Sequence, residues 1–175
     1  IDYSFSKYRS EFMDIFLASK CKFAISNSLG LDGVCALFHK PIAFVNMVPL
    51  AYLQSYYLRC IFLFKKHFSS EKNRYLSINE IFDLGLASSL KTEDFEKKRI
   101  KLNENSPEEI RDIAIELDDR LNKKFVETLE QKNLQKKFLH LYEKNLEKTY
   151  TRQLHGKILA SPSSNFLKKN KYFLE

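Results

Sequence analysis

Tryptophan is absent from this 175-residue sequence, and glycine and proline are scarce at four each. No internal repeat or low-complexity tract is present, and a 44% hydrophobic, 29% charged composition is that of a globular chain rather than a disordered one. Cys21, Cys35 and Cys60 are odd in number, widely spaced and set in apolar surroundings. They have no metal-ligand spacing, so they read as small buried hydrophobes and imply a reducing cytoplasm. An uninterrupted membrane span is also missing. The longest apolar region, residues 41–64, is broken by Asn46, Pro49, Gln54 and Arg59, and an arginine near mid-bilayer costs about 2.5–3.5 kcal/mol. His39, His67, His140 and His155 show no metal spacing, and there is no Asp-x-Asp metal motif, zinc site or clear nucleophile.

The net charge of +7 comes without a basic stripe. Residues 91–148 hold fourteen Lys/Arg and fourteen Asp/Glu, residues 1–90 hold ten against seven, and residues 149–175 five against one. No element has basic residues interleaved with aromatics along one face, so a nucleic-acid surface is the weaker reading. An anionic small ligand or an anionic membrane surface accounts for the balance at least as well.

What is present is one domain's length of chain with fifteen Phe and nine Tyr to fill a core. Its most informative stretch is residues 22–46. Apolar runs at Phe23–Ile25 and Ile42–Val45 suit strands of a parallel sheet covered on both faces. Between them lie turn residues at Ser26, Asn27, Ser28 and Gly30, then helical spacing at Leu31, Val34, Cys35 and Phe38. A helix starting just after a strand presents unpaired N–H groups at the carboxyl edge of the sheet, where open α/β domains bind ligands. A nucleotide or sugar-phosphate site near residues 26–33 is the expectation.

Around this unit, residues 9–20 have the pattern of an amphipathic helix, and Cys60–Phe64 that of a third short strand ending at Lys65-Lys66. Residues 47–59 form an aromatic connection with no clear assignment. Ser77-Ile-Asn-Glu80 predicts a capping box, with Gly85 closing the helix. The second half reads as helical. Ser106-Pro-Glu-Glu109 starts one helix and residues 134–146 form another, while Ser161-Pro-Ser-Ser164 breaks structure before a basic, aromatic tail.

Residues 28–41, Ser-Leu-Gly-Leu-Asp-Gly-Val-Cys-Ala-Leu-Phe-His-Lys-Pro, resemble the glycine-containing loop in the carboxyl-terminal domain of GT-B glycosyltransferases, the heptosyltransferase branch included. A closer similarity is to a bacterial glycosyltransferase family associated with surface-polysaccharide genes. It rests on Arg9–Asp14 with Cys21, Ser28–Asp32, Lys40-Pro41 with Val45-Asn46, Pro49-Leu50, Asn105–Ile110 and Ser164–Leu167. The resemblance covers most of the chain. It implies an α/β fold, with a Rossmann-like nucleotide-sugar-binding core at residues 1–90, a helical part at 91–164 and a tail at 165–175. It also implies metal-independent transfer of a sugar from a nucleotide-sugar donor to a glycan or lipid-linked acceptor, without a cofactor. Such enzymes keep their catalytic base in an amino-terminal acceptor domain. The abrupt start at Ile1, with no initiator Met or signal-peptide pattern, suggests the carboxyl-terminal part of a longer protein. That places the base outside this chain and calls catalysis by the chain alone into question.

The expected donor site comprises Ser26, Asn27, Ser28, Leu29, Gly30, Asp32, Gly33, Asn46, Lys65 and Lys66. Ser26, Asn27, Ser28 and Gly30 would bind the diphosphate through hydroxyls and N–H groups; an ordinary turn with Ser28 as N-cap is the competing reading. Asn27 and Leu29 are bulkier than the family's small residues, which predicts a tighter loop. Asp32 would face ribose or sugar hydroxyls, because beside a diphosphate it would repel, or would simply complement the helix N-terminus. Asn46 ends the second strand, where it either contacts ligand or initiates a turn. Lys40, Lys65 and Lys66 would neutralise the leaving diphosphate, against helix capping for Lys40 and a solvated pair for the others. Phe166, Leu167 and Phe173 form a packed seam, with peripheral contact at the inner membrane as the lesser alternative. The competing functions are a non-catalytic sugar-nucleotide or protein-binding module and a sugar-nucleotide epimerase.

Overall fold

Ile42, Ala43 and Phe44 are almost wholly shielded from solvent, as are Ile61 to Phe64. Apolar runs of that kind need cover on both faces, and the computed structural model, which describes residues 2–28, 30–55 and 57–175, supplies it. In chain order the elements are α1 (Glu11–Lys20), β1 (Ala24–Ser26), α2 (Leu31–Leu37), β2 (Ile42–Met47), β3 (Ile61–Phe64), β4 (Lys66–Ser69), β5 (Arg74–Tyr75), α3 (Ile78–Asp83), α4 (Thr92–Lys97), β6 (Ile100–Asn103), α5 (Pro107–Leu121), α6 (Leu129–Leu146), β7 (Ser161–Pro162) and α7 (Ser164–Lys169). A parallel sheet runs β1-β2-β3-β7, with Ala24 opposite Ile42, Ala43 opposite Ile61, and Ile61 opposite Ser161. The architecture is mixed α/β and compatible with a Rossmann-like arrangement.

The faces of β3 show how the layers stack. Phe62 and Phe64 turn to α6 and α7, where Phe64 lies 6.3 Å from the ring of Phe138 and 4.9 Å from Phe166. On the other face, α5 packs against β2 and β3, and Ile61 shares a cavity wall with Leu117. Local chemistry fixes where the helices begin. Ser77, Ser106 and Thr128 each accept a backbone N–H three residues on, while Glu80, Glu109 and Gln131 reach back to the cap.

Several expectations are corrected. Ser26 is the last residue of β1 rather than part of the turn, and α6 begins at Leu129, five residues before the expected start. The stretch after β3 is not a strand end followed by helices. Lys66 opens β4, which pairs with β5 and β6 in a small antiparallel sheet, Phe68 opposite both Tyr75 and Lys101. Residues 161–164 do not break structure: Ser161–Pro162 is the fourth parallel strand, with proline tolerated at a sheet edge, and Ser163 caps α7. The segment 165–175 packs as the seam expected of Phe166, Leu167 and Phe173. Phe166, Leu167, Phe173 and Leu174 are buried, and Phe173 stacks on Phe64 at 4.1 Å. Within the aromatic connection of residues 47–59, residues 50–52 form a 3-10 turn with Leu50 and Ala51 buried.

Candidate functional site

At the carboxyl end of β1 the chain turns through Asn27, Ser28 and Gly30 into α2, while Leu29 lies outside the described residues. Ser28 sits at φ 65° and Gly30 at φ 110°, the latter a conformation that excludes most side chains. Gly30 is the N-cap and has no side chain to close the helix; Asp32, in the first turn, instead holds the cap residue's own N–H. Its Oδ1 accepts the Gly30 N–H at 2.9 Å and the Ser26 hydroxyl at 3.2 Å, while Ser26 Oγ accepts the Ser28 N–H at 3.1 Å. Asp32 is only 5% exposed. It braces the turn from within and does not present a carboxylate to sugar hydroxyls. Ser28 is not the N-cap either; its hydroxyl takes a hydrogen bond from the Gln54 amide. Among the described residues, Gln54 Oε1 is a buried acceptor without a partner beside this turn. A Cβ added at Gly33 would meet nothing within 4 Å, so no neighbour within the chain requires glycine there.

The remaining expected residues separate. Asn46, at φ 55°, donates its N–H to Asn105 Oδ1 at 2.7 Å and accepts the Asn105 N–H on its own Oδ1 at 2.6 Å. Its backbone N–H and its Oδ1 are both engaged within the fold, tying the end of β2 to Asn105. Lys66 is locked to both oxygens of Glu109 at 3.0 and 3.1 Å, with the two side chains largely buried. Lys65 differs. It follows β3 at the same edge as the turn and is half-buried, and its partner Glu104, 3.2 Å away, is mostly exposed. Lys40 precedes β2 and so lies at the opposite, amino edge of the sheet. There it lines a cavity of about 300 Å³ with His39, Tyr57 and Arg59, too far along the strand to serve the turn.

Ser55 and His155 were not anticipated. Ser55 Oγ lies 2.7 Å from His155 Nδ1, and His155 Nε2 donates to Ala51 O at 2.9 Å. This is the spacing of a nucleophile and its base. Both residues are buried in the core, however, so the pair clips two loops together and offers no reacting atom to a substrate. Glu116 is the other unforeseen polar centre. Its buried carboxylate accepts the N–H groups of Ser164 and Asn165, the Ser163 hydroxyl and the Arg120 guanidinium, closing the N-terminus of α7. Among the described residues no group of His, Cys, Asp and Glu could hold a metal ion, and no helix is long and apolar enough to cross a membrane.

No protein-family model, curated protein or solved structure matches the chain.

Proposed function

We propose that this chain is the donor-binding part of a GT-B-like glycosyltransferase, one that holds a nucleoside diphosphate-sugar at the carboxyl edge of its parallel sheet. The transfer would pass the sugar to a glycan or lipid-linked acceptor. The observation that carries the reading is that the Ser28–Gly30 turn and Lys65 share that edge. They follow β1 and β3, two strands apart, or about 10 Å at the usual strand spacing. A diphosphate-sugar spans such a gap.

Within this reading the roles differ from those the motif alone implies. Asp32 already holds the Gly30 N–H, so phosphate would not seat against it. Gln54 Oε1 would instead accept a hydroxyl or amide donor of the ligand beside Ser28. Lys65 would meet the phosphate, because displacing an exposed partner such as Glu104 costs about 0–1 kcal/mol. As the glycosidic bond breaks, negative charge grows on the leaving diphosphate, and an ammonium held there stabilises it.

Calorimetric titration with a panel of nucleoside diphosphates tests this. Binding is expected to weaken roughly tenfold in Lys65→Ala, the loss of one charge-assisted hydrogen bond, and to weaken also in Gln54→Leu. Lys66→Ala should lower stability and leave affinity alone. Absence of binding by every nucleotide at millimolar concentration would overturn the reading, and unchanged affinity in Lys65→Ala would move the site.

A further inference from the structure

At the amino edge of the parallel sheet, Lys40 and Arg59 each stand two residues before a strand, Lys40 before β2 and Arg59 before β3. Those strands are neighbours, and both side chains line the same cavity of about 300 Å³. His39 and Arg59 take left-handed backbone, at φ 53° and 57°. At His39 that turn closes α2 through the main chain. The N–H groups of Phe38, His39 and Lys40 reach Val34 O, Ala36 O and Cys35 O at 3.2, 2.9 and 2.9 Å, so the Lys40 ammonium is not needed as a cap. Among the described residues neither Lys40 nor Arg59 is in an ion pair, and the cavity wall holds no Asp or Glu. The Arg59 guanidinium donates once, from Nη2 to His39 O at 3.5 Å, which leaves most of its donors free. Beside these cations the wall is apolar, formed by Leu58, Leu159 and the ring of Tyr57.

We propose that this cavity is a second anion site, one that binds a small phosphomonoester with its phosphate on Lys40 and Arg59. The organic body of the ligand lies against Leu58, Leu159 and Tyr57. A guanidinium fork matches two phosphate oxygens, and an ammonium beside it adds a compact charge. The exposed His39 ring supplies a further polar group at the rim. The C-terminus of α2 opposes an anion with roughly half a negative charge, which two formal positive charges outweigh. The volume is at the lower end for small-molecule sites, and inorganic phosphate alone would leave the apolar wall uncovered. The site lies at the opposite edge of the sheet from Lys65 and is independent of what that edge binds.

Calorimetric titration of the full chain with phenyl phosphate and with inorganic phosphate tests this. Phenyl phosphate is expected to bind the tighter of the two. Its binding should weaken roughly tenfold in Lys40→Ala and further in Arg59→Gln, which loses charge and fork together. Leu159→Ala should weaken phenyl phosphate and spare inorganic phosphate. Lys65→Ala should change neither, which separates this site from the donor edge. Arg59 is exposed, so its replacement leaves the core intact and decides the matter even where Leu159→Ala disturbs it. Phosphatidylcholine vesicles containing phosphatidic acid are expected to leave the protein in solution. Four results would overturn the proposal: no phenyl phosphate binding at millimolar concentration, binding no tighter than that of inorganic phosphate, unchanged affinity in Arg59→Gln, or a loss in Lys65→Ala. Sedimentation with the vesicles that Arg59→Gln abolishes would overturn it too, by assigning the phosphate to a lipid headgroup.

Discussion

Asn46 and Asn105 each present a side-chain oxygen to the other's backbone N–H, at 2.7 and 2.6 Å, and Asn105 also donates its amide to Phe64 O at 3.1 Å. One residue thus fastens the ends of β2 and β3 to the approach of α5. Asn105 is 6% exposed, so removing its side chain strands partners that water does not reach. Asn105→Ala is expected to cost about 3 kcal/mol in urea unfolding, with an unchanged denaturant slope.

Glu116 has the largest load of any carboxylate described above. Replacing it by alanine leaves Arg120 without its closest acceptor and exposes the α7 N-terminus, at an expected cost of about 3–5 kcal/mol. Glu116→Gln keeps the shape and part of the hydrogen bonding, and should fall between. Thermal unfolding of the three proteins checks the order.

His67 makes stability depend on acid. Its ring is 2% exposed and lies against Phe95, and only Nδ1 has a partner, Lys65 O at 3.0 Å. Burial pushes its pKa down from 6.5 to about 4. The unfolded chain therefore takes up this proton first. Stability should fall as pH is lowered from about 6.5 to about 4, by about 3 kcal/mol in all, and this group adds no slope above that window. His67→Leu should remove that part of the slope, read as the difference between the two proteins' urea midpoints across the pH range.

Phe173 stacks on Phe64 and lies 6.4 Å from Phe138, so the last turn of the structure fills the centre of the aromatic core. Phe173→Ala is expected to cost about 3–5 kcal/mol, seen as a lowered guanidinium midpoint.

The parts legible in the sequence are those whose causes are local. The Ser106–Glu109 capping box, the closing glycine at Gly85 and the helix at Leu31 are set by residues within one or two turns of each other. The runs of β2 and β3 are legible because burial on both faces leaves no other pattern. Ser161–Pro162 has no strand character of its own; it becomes β7 only by pairing with Ile61 and Phe62. In the same way β4 and β6 are strands because of each other, and neither His67 nor Lys101 announces its partner. At the candidate site the turn itself was readable, but the state of its charges was not. The Lys66–Glu109 pair joins distant parts of the chain, and the two lysines that adjoin in sequence end with opposite availability. Asp32 is the exception. Its bond to Gly30 spans two residues, and a helix opened by glycine signals the need for a nearby acceptor.

The order β1-β2-β3-β7 also constrains how the protein can be made. On the ribosome, β3 emerges long before β7, and Phe64 long before Phe173. Until residues 161–174 have left the exit tunnel, the growing polypeptide carries an open sheet edge and an unfilled aromatic hollow, both liable to misdirected association. The small β4-β5-β6 sheet and its neighbouring helices close over nearer partners and can form first. The nascent chain therefore commits to this fold only once Phe166 and Phe173 arrive.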